Sequence, residues 1–299
     1  MVNRILILIC LIISPWVLLA QTESIQQVKD TNKEGSLLQL ELEYTSDAIF
    51  MGRKDSIAAP YLMPGLSYYH KSGFFANATL SYLLSADQNR IDLVLLGAGY
   101  LLDFDDWSAG LMVSKYFYDQ ESYSVLTEVE AAIAGMINYD MDFVETTLLV
   151  SSYLNSSDDP DFFTDLSVGA PFYFNDRNVL VTPTVSVQAG SQNFYEAYYQ
   201  SSRLGNRKGK SNPNNTSSAS STIIIENAKN FEFLAIEVSV PIYVTLGKFV
   251  LSTSPAYVIP QNPSTITING EAEDEQLENS FYINLSVGYF IDFRPNKKV

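Results

Sequence analysis

Cysteine and histidine are almost absent from this sequence of 299 residues, which has one of each, Cys10 and His70. Cys10 lies in an N-terminal apolar segment, and the bulky Ile9 before it excludes a lipid-modified cysteine. A chain that loses this segment has no disulfide and no thiol chemistry. One histidine supplies too few ligands for a zinc site, and nothing marks the nearby Ser72 as an activated nucleophile. We therefore expect no enzyme activity, no metal and no cofactor.

Charge is also scarce, because charged residues make up 17% of the chain against roughly 25% in soluble domains. Acidic residues outnumber basic ones by 34 to 18, and loss of residues 1–20 would remove only Arg4, leaving 17 against 34, or −17. Such a balance excludes nucleic acid as a partner. The 19 tyrosines and 17 phenylalanines instead supply the apolar and aromatic surface that a lipid-facing belt requires.

Residues 1–20 have the organisation of a secretory signal peptide, with Arg4 before an apolar stretch and a cut predicted after Ala20. Residues 21–35 are polar and lack periodicity, which predicts an N-terminal tail. No other segment approaches the roughly 20 apolar residues of a spanning helix. The mature chain is therefore either soluble or crosses a membrane with strands.

Period-two alternation is the main structural signal of the remaining chain. In residues 36–45, leucines alternate with Gln39, Glu41 and Glu43, which predicts a strand with one apolar and one polar face. Most of the segments of this kind exceed the ~5–6 residues of a globular strand and reach the ~9–11 needed to cross a bilayer. The twelve predicted strands are 36–45, 57–70, 73–84, 90–103, 107–118, 123–138, 142–154, 162–174, 179–191, 231–246, 248–259 and 279–293.

The connections between these strands alternate in length. Every second connection is tight, whereas the others include long segments such as 46–56, 192–230 and 260–278. Short turns on one side and longer loops on the other are typical of outer-membrane barrels. The sequence therefore predicts an all-β fold, an antiparallel up-and-down transmembrane β-barrel of about twelve strands over residues 36–293. Both termini, including the tail 294–299, are expected on the short-turn, periplasmic side.

Prolines interrupt several of these segments. A proline removes one donor from the hydrogen-bond ladder, so each is expected at a bulge or at a strand end. The prolines concerned are Pro64, Pro171, Pro183, Pro241 and Pro255.

If the more apolar face of each strand meets lipid, carboxylates face the interior. They could form the wall of a cation-preferring pore, or ordinary polar filling hydrogen-bonded to neighbouring hydroxyl groups and water. The candidate lumen-lining residues are Glu41, Glu43, Glu128, Glu130, Glu145, Asp165 and Glu237.

The connection 192–230 is basic in an otherwise acidic protein. Arg203, Arg207, Lys208 and Lys210 could fold into the mouth and pair with lumen carboxylates as a constriction. Alternatively, the loop is mobile and its basic cluster touches lipopolysaccharide phosphates. The acidic tips at 158–161 and 271–278 offer oxygen ligands to a divalent cation, or are simply solvated.

The sequence resembles the outer-membrane β-barrel proteins of Bacteroidetes-type Gram-negative bacteria. The likeness rests on the signal ending in Leu19, Ala20 and Gln21, and on the aromatic-rich segments 64–70, 107–117 and 287–293. It implies contact with outer-membrane lipid and lipopolysaccharide, and recognition of the last strand by the barrel-insertion machinery. Residues 294–299 follow the final aromatic Phe293, so that recognition signal is not terminal here.

These observations favour a passive, porin-like channel for small solutes or ions with an acidic, cation-preferring interior. A closed barrel that acts structurally or through its external loops is the alternative. A soluble secreted β-protein is a third interpretation of the same pattern.

Overall fold

The structure, a computed structural model, describes residues 35–54, 59–84, 89–119, 122, 124–155, 159–198, 223–268 and 270–293. The predicted signal peptide, nearly all of the N-terminal tail and residues 294–299 lie outside these ranges and stay predictions. Within the described part, no helix is long and apolar enough to cross a membrane.

Segments from all twelve predicted strands form β-strands in the structure. One short helix follows the ninth of the twelve strands. In chain order the elements are β1 (Leu37–Thr45), β2 (Ile49–Phe50), β3 (Arg53–Lys54), β4 (Tyr61–Tyr69), β5 (Phe74–Leu84), β6 (Asn89–Phe104), β7 (Trp107–Tyr118), β8 (Val129–Asp140), β9 (Glu145–Asn155), β10 (Asp161–Gly169), β11 (Phe172–Phe174), β12 (Val179–Val181), β13 (Thr184–Gly190), α1 (Asn193–Tyr198), β14 (Ile223–Ile225), β15 (Glu232–Ser239), β16 (Ile242–Leu246), β17 (Phe249–Pro260), β18 (Thr265–Ile268), β19 (Glu271–Asp274) and β20 (Ser280–Asp292).

The large sheet closes on itself as a twelve-stranded antiparallel barrel. Three of the twelve strands are interrupted, so that β10 continues as β11, β12 as β13, and β15 as β16. The ring closes because β20 pairs with β17 on one side and with β1 on the other, as in the pairs Phe249 with Tyr289 and Leu37 with Asp292. The predicted antiparallel up-and-down barrel of about twelve strands is thus confirmed.

The connections sort by length onto two ends of the barrel. The end formed by the tight connections 70–73, 105–106, 141–144, 175–178 and 247–248 is called the turn end, and it also holds the start of β1 and the finish of β20. The opposite end, called the loop end, carries the longer connections. Its small sheets β2–β3 and β14–β18–β19 are additions that alternation did not predict.

Side chains alternate between the two surfaces of the wall. In β20, Phe281 is 62% exposed whereas its neighbour Tyr282 is 5% exposed. Large apolar side chains cover the outside of the other strands in the same way, while small polar side chains, carboxylates and clusters of apolar residues face inward. The predicted alternation of exposed and buried side chains is thus present along the strands. Exposed aromatics gather near the turn end, as expected of an interfacial girdle: Phe104, Trp107, Phe143, Phe172 and Phe249.

Four of the strand prolines line up across neighbouring strands, and we call this line the proline crease. Pro171, Pro183 and Pro241 coincide with the interruptions of three strands, and Pro255 lies beside the last of them in β17. The ladder therefore breaks at three adjacent seams, where one backbone hydrogen bond bridges each break. These bonds run from Ala170 N to Pro183 O (3.1 Å), from Thr182 N to Pro241 O (2.9 Å) and from Val240 N to Pro255 O (3.1 Å).

The proline crease should be the part of the barrel wall that opens most readily. Losing one hydrogen bond costs on the order of 1 kcal/mol, so amides in peptides 168–173, 180–184 and 238–243 should exchange with deuterium about tenfold faster than those of 93–100. The peptide 93–100 is the control, because β6 pairs without a break there with β5 and β7. Equal protection in both sets would show that the crease does not weaken the wall.

Candidate functional site: an acidic chamber beneath a plugged mouth

The first connection at the loop end folds back into the barrel as a hairpin of β2 and β3, here called the plug hairpin (residues 49–54). Its turn, Met51 and Gly52, has positive φ at both residues, 49° and 79°. Gly52 is required for space as well, because a Cβ there would lie 2.8 Å from the Pro260 Cβ. The turn therefore presses against the end of β17.

The two apolar side chains of β2 contact different parts of the barrel wall. Ile49 is fully buried in a cluster with Ala235 of β15, Ala256 and Val258 of β17, and Tyr282 of β20. Phe50, which is 3% exposed, points the other way. Its ring centroid lies 5.7 Å from that of Tyr153, 5.0 Å from Phe163 and 5.2 Å from Phe194. The hairpin thus crosses the mouth and closes it with apolar contacts.

Arg53 fastens this hairpin to β15 and to the loop that follows β17. Its side chain is 1% exposed, and Nη1 donates to Leu234 O at 3.0 Å and Met51 O at 3.3 Å. Nη2 donates to Asn262 O at 2.8 Å and lies 3.6 Å from Glu275 Oε2. A buried guanidinium needs such partners, because an uncompensated charge is costly away from water.

Glu275 extends the same network to the other long loops. Its Oε1 accepts a hydrogen bond from Tyr195 of α1 at 2.7 Å, and its Oε2 accepts one from Ser264 N at 3.2 Å. The Ser264 hydroxyl in turn donates to Gln192 Oε1 at 3.0 Å. One carboxylate therefore connects the plug hairpin with both later loops.

Asp161 positions α1 over the mouth. Its Oδ1 accepts from Asn193 N at 2.8 Å and from the Ser191 hydroxyl at 2.7 Å, and its Oδ2 accepts from Phe194 N at 2.7 Å. A carboxylate at a helix start satisfies donors that have no partner within the helix. Phe194, which this cap holds in place, is fully buried against Phe50 and Phe163.

Two charged groups beside this cap have altered titration. Burial raises the pKa of Glu196 on α1. The hydrogen bond from Lys229 Nζ to Asp159 Oδ2, 2.7 Å long, raises the pKa of the Lys229 ammonium. This ion pair is largely exposed and contributes little to stability.

The constriction predicted from the basic loop cannot be placed, because Arg203, Arg207, Lys208 and Lys210 lie outside the described residues. The described parts of that loop enter the mouth through α1 and through Ile225 and Ala228, which join the same apolar cluster as Phe50. The element that crosses the mouth is the plug hairpin, which alternation did not identify. Its available signal was the apolar run Ile49, Phe50 and Met51 inside the predicted connection 46–56.

Below the plug lies a group of inward carboxylates that we call the acidic chamber, defined by Glu41, Glu43, Asp165 and Glu237. Glu41, Asp165 and Glu237 are 6%, 1% and 5% exposed, and Glu43 is partly exposed. Tyr282 donates a 3.1 Å hydrogen bond to Glu237 Oε1. These four predicted positions thus face the interior from three strands, β1, β10 and β15.

Small polar side chains complete the chamber without filling it. Ser252 and Ser286 face each other across β17 and β20, with their hydroxyl oxygens 2.7 Å apart. These two residues, Ser254, Asn284 and Glu43 face inward and yet remain partly exposed, so the middle of the barrel retains space. Toward the turn end, an apolar layer narrows the interior: Leu37, Tyr69, Phe75, Leu180, Tyr243, Val250 and Phe290.

Glu145 lies apart from this group, at the turn-end start of β9. Glu145 is 6% exposed. A Cβ atom added to Gly169 would lie 3.2 Å from Glu145 Oε1. The same position would be 3.0 Å from the Thr184 hydroxyl. Glu145 is therefore inside the barrel but below the acidic chamber.

Two predicted lumen residues are corrected by the structure. Glu128 lies in the turn before β8, because that strand begins at Val129 and not at residue 123. Glu130 points outward, since a register shift between Val129 and Ala131 changes the alternation. Its Oε2 accepts a 3.0 Å hydrogen bond from Lys115 on the outer face, and both side chains are exposed.

The described barrel strands place no basic side chain in the acidic chamber. These strands contain two basic residues, Arg90 and Lys115. Arg90 Nε donates to Asp92 at 2.9 Å near the loop end of β6, and Lys115 faces outward. The interior is therefore acidic by position as well as by composition.

No group of three His, Cys, Asp or Glu side chains in the described ranges is arranged to hold a metal ion. His70 Nδ1 lies 2.8 Å from the hydroxyl of Ser72, which is two residues further along the same exposed turn at the turn end. This is local turn geometry on the solvent side.

Solved protein structures resemble this chain, whereas comparisons of its sequence find no match. No protein-family model matches the sequence, and no curated protein sequence matches it. Among solved structures, a KdgM porin is 7% identical with a TM-score of 0.47, covering 84% of this chain and 98% of that one. A NanC porin is 11% identical with a TM-score of 0.48, covering 84% and 98%. LpxR from Salmonella typhimurium is 13% identical with a TM-score of 0.43, covering 85% and 100%. At these values the likenesses assign no activity or solute to this chain.

Proposed function

We propose that this protein is a porin-like, cation-preferring channel of the Gram-negative outer membrane, seen here with its mouth closed by the plug hairpin. The observation that carries the proposal is the acidic chamber, in which Glu41, Glu43, Asp165 and Glu237 face the interior beside partly exposed serine and asparagine side chains. Ionisable groups at membrane depth are costly and usually mark a pathway for ions or substrate. Carboxylates along such a pathway favour cations over anions.

Placement in the membrane follows from the two ends of the barrel. Short turns typically face the periplasm, so the turn end and both chain termini would lie there, with the loop end and its plug outside. The exposed aromatic side chains near the turn end would then meet lipid, and the loop end would meet lipopolysaccharide. Membership of the Bacteroidetes-type group and recognition by the barrel-insertion machinery remain predictions from sequence.

The proposal is tested by the ion preference of the open channel in planar bilayers. Under a KCl gradient, openings of the wild-type protein should reverse near the potassium equilibrium potential. The triple variant E43Q/D165N/E237Q should shift the reversal potential toward zero, because it removes three inward charges. The matched control E271Q/E273Q/D274N removes three exposed charges from β19 and should keep the wild-type preference. Anion preference in the wild type would overturn the proposal.

A second function is favoured by one observation, the tight packing of the plug. Ile49 is fully buried and Phe50 is 3% exposed, as expected of a permanently closed barrel that acts structurally or through its loops. Wild-type protein and plug-weakened variants that insert into bilayers but never conduct would establish this second function.

A further inference from the structure

The spacing of the carboxylates in the acidic chamber differs from that of a metal site. Asp165 pairs with Gln188 of β13, which pairs with Ala235 of β15, two residues from Glu237. Their backbone positions are thus about two interstrand spacings apart, roughly 10 Å. Glu43 on β1 is three strands from Glu237, at roughly 14 Å. A Ca²⁺ or Mg²⁺ ion gathers its ligands at about 2.0–2.6 Å, and the described residues include no group of three acidic side chains arranged to do this.

Buried polar atoms in the chamber still have hydrogen-bonding capacity. Glu237 uses Oε1 for Tyr282, whereas its Oε2 is buried and accepts no hydrogen bond from the described residues. Gln39, fully buried two residues from Glu41, has both amide atoms in the same condition. Buried polar groups are nearly always satisfied, so Glu237 Oε2 and the amide oxygen of Gln39 point to a donor that the chain itself does not supply, whereas Gln39 Nε2 needs an acceptor.

We propose that the acidic chamber binds an organic polycation, an amine with two or more ammonium groups along a flexible chain. Each ammonium carries three donors and suits a separate carboxylate, one near Glu237 and Asp165 and one near Glu43 and Glu41. The methylene segments between them pass the small side chains Ser252, Ser254 and Ser286. The aromatic ring of Tyr282 beside Glu237 adds a surface that attracts cations.

This inference names the ligand class for the proposed cation path and rests on that function, but it is tested without conduction. Calorimetric titration of the folded barrel in detergent compares spermidine with butylamine, which has one ammonium group. Spermidine should bind at least about tenfold more tightly, since it engages a second carboxylate. Mg²⁺ should not displace it at equal concentration.

Matched variants place the binding in the chamber. E43Q/D165N/E237Q should lose spermidine affinity about tenfold or more, and the single variant E43Q, at a partly exposed position, covers the case in which the triple variant does not fold. The control E271Q/E273Q/D274N should bind as wild type. Equal affinity for spermidine and butylamine, or equal loss in the control, would overturn the inference. Spermidine binding by a barrel that never conducts would reject the channel and leave the site standing.

Discussion

Replacing Phe50 with alanine is expected to loosen the plug by about 3–5 kcal/mol, the usual cost of removing a buried aromatic ring. Phe50 is 3% exposed and lies within ring-contact distance of Tyr153, Phe163 and Phe194. These three rings come from the wall and from α1, so the loss falls on the contact that holds the mouth closed. The F50A variant should therefore conduct in planar bilayers far more often than the wild type.

Phe143 provides the matched control for this experiment. It is 74% exposed at the turn end, so F143A removes the same atoms without creating an internal cavity. Its effect on stability in detergent should stay within about 0.5 kcal/mol, and its channel activity should match the wild type. If F50A and F143A have the same urea unfolding midpoint, Phe50 does not hold the plug.

Replacing Arg53 with methionine should release the plug by a different route. Methionine keeps much of the side-chain length, but it leaves the carbonyls of Leu234 and Asn262 without their buried donor and Glu275 without its cation. Removing one partner from a buried ion pair costs about 3–5 kcal/mol. Proteolysis of the loop end should accelerate accordingly, by about two to four orders of magnitude if cleavage follows local opening.

The control for Arg53 is the exposed pair of Lys229 and Asp159, in which the lysine side chain is 74% exposed. Exposed ion pairs contribute about 0–1 kcal/mol, so K229M should leave the proteolysis rate nearly unchanged. A double substitution R53M/E275Q should recover part of the loss, since it removes the unpaired carboxylate as well. Equal rates for R53M and the wild type would show that Arg53 is not what fastens the plug.

Strand alternation and connection lengths were sufficient to predict the barrel. They identified twelve strands and the two ends, because each strand meets lipid on one side and side chains on the other. The prolines were expected at breaks, and three of them coincide with interrupted strands. Their alignment across β10 to β17 follows from the register of neighbouring strands, which one segment alone does not encode.

The plug could not be read from local pattern. Residues 49–54 are too short for a period, and Arg53 finds its partners Leu234 and Asn262 at sequence separations of 181 and 209 residues. Glu130 was assigned to the interior because alternation was extended through a bulge. Tertiary contacts and register shifts of this kind depend on the closed barrel, and they decide which carboxylates share the chamber.

The current through single F50A barrels under a KCl gradient is the most direct test of a cation-preferring channel that the plug hairpin closes. Stepwise openings that reverse close to the potassium equilibrium potential are predicted, against rare openings in the wild type. An F50A protein that is measurably less stable at its loop end, yet is as silent as the wild type or passes chloride in preference to potassium, would contradict it.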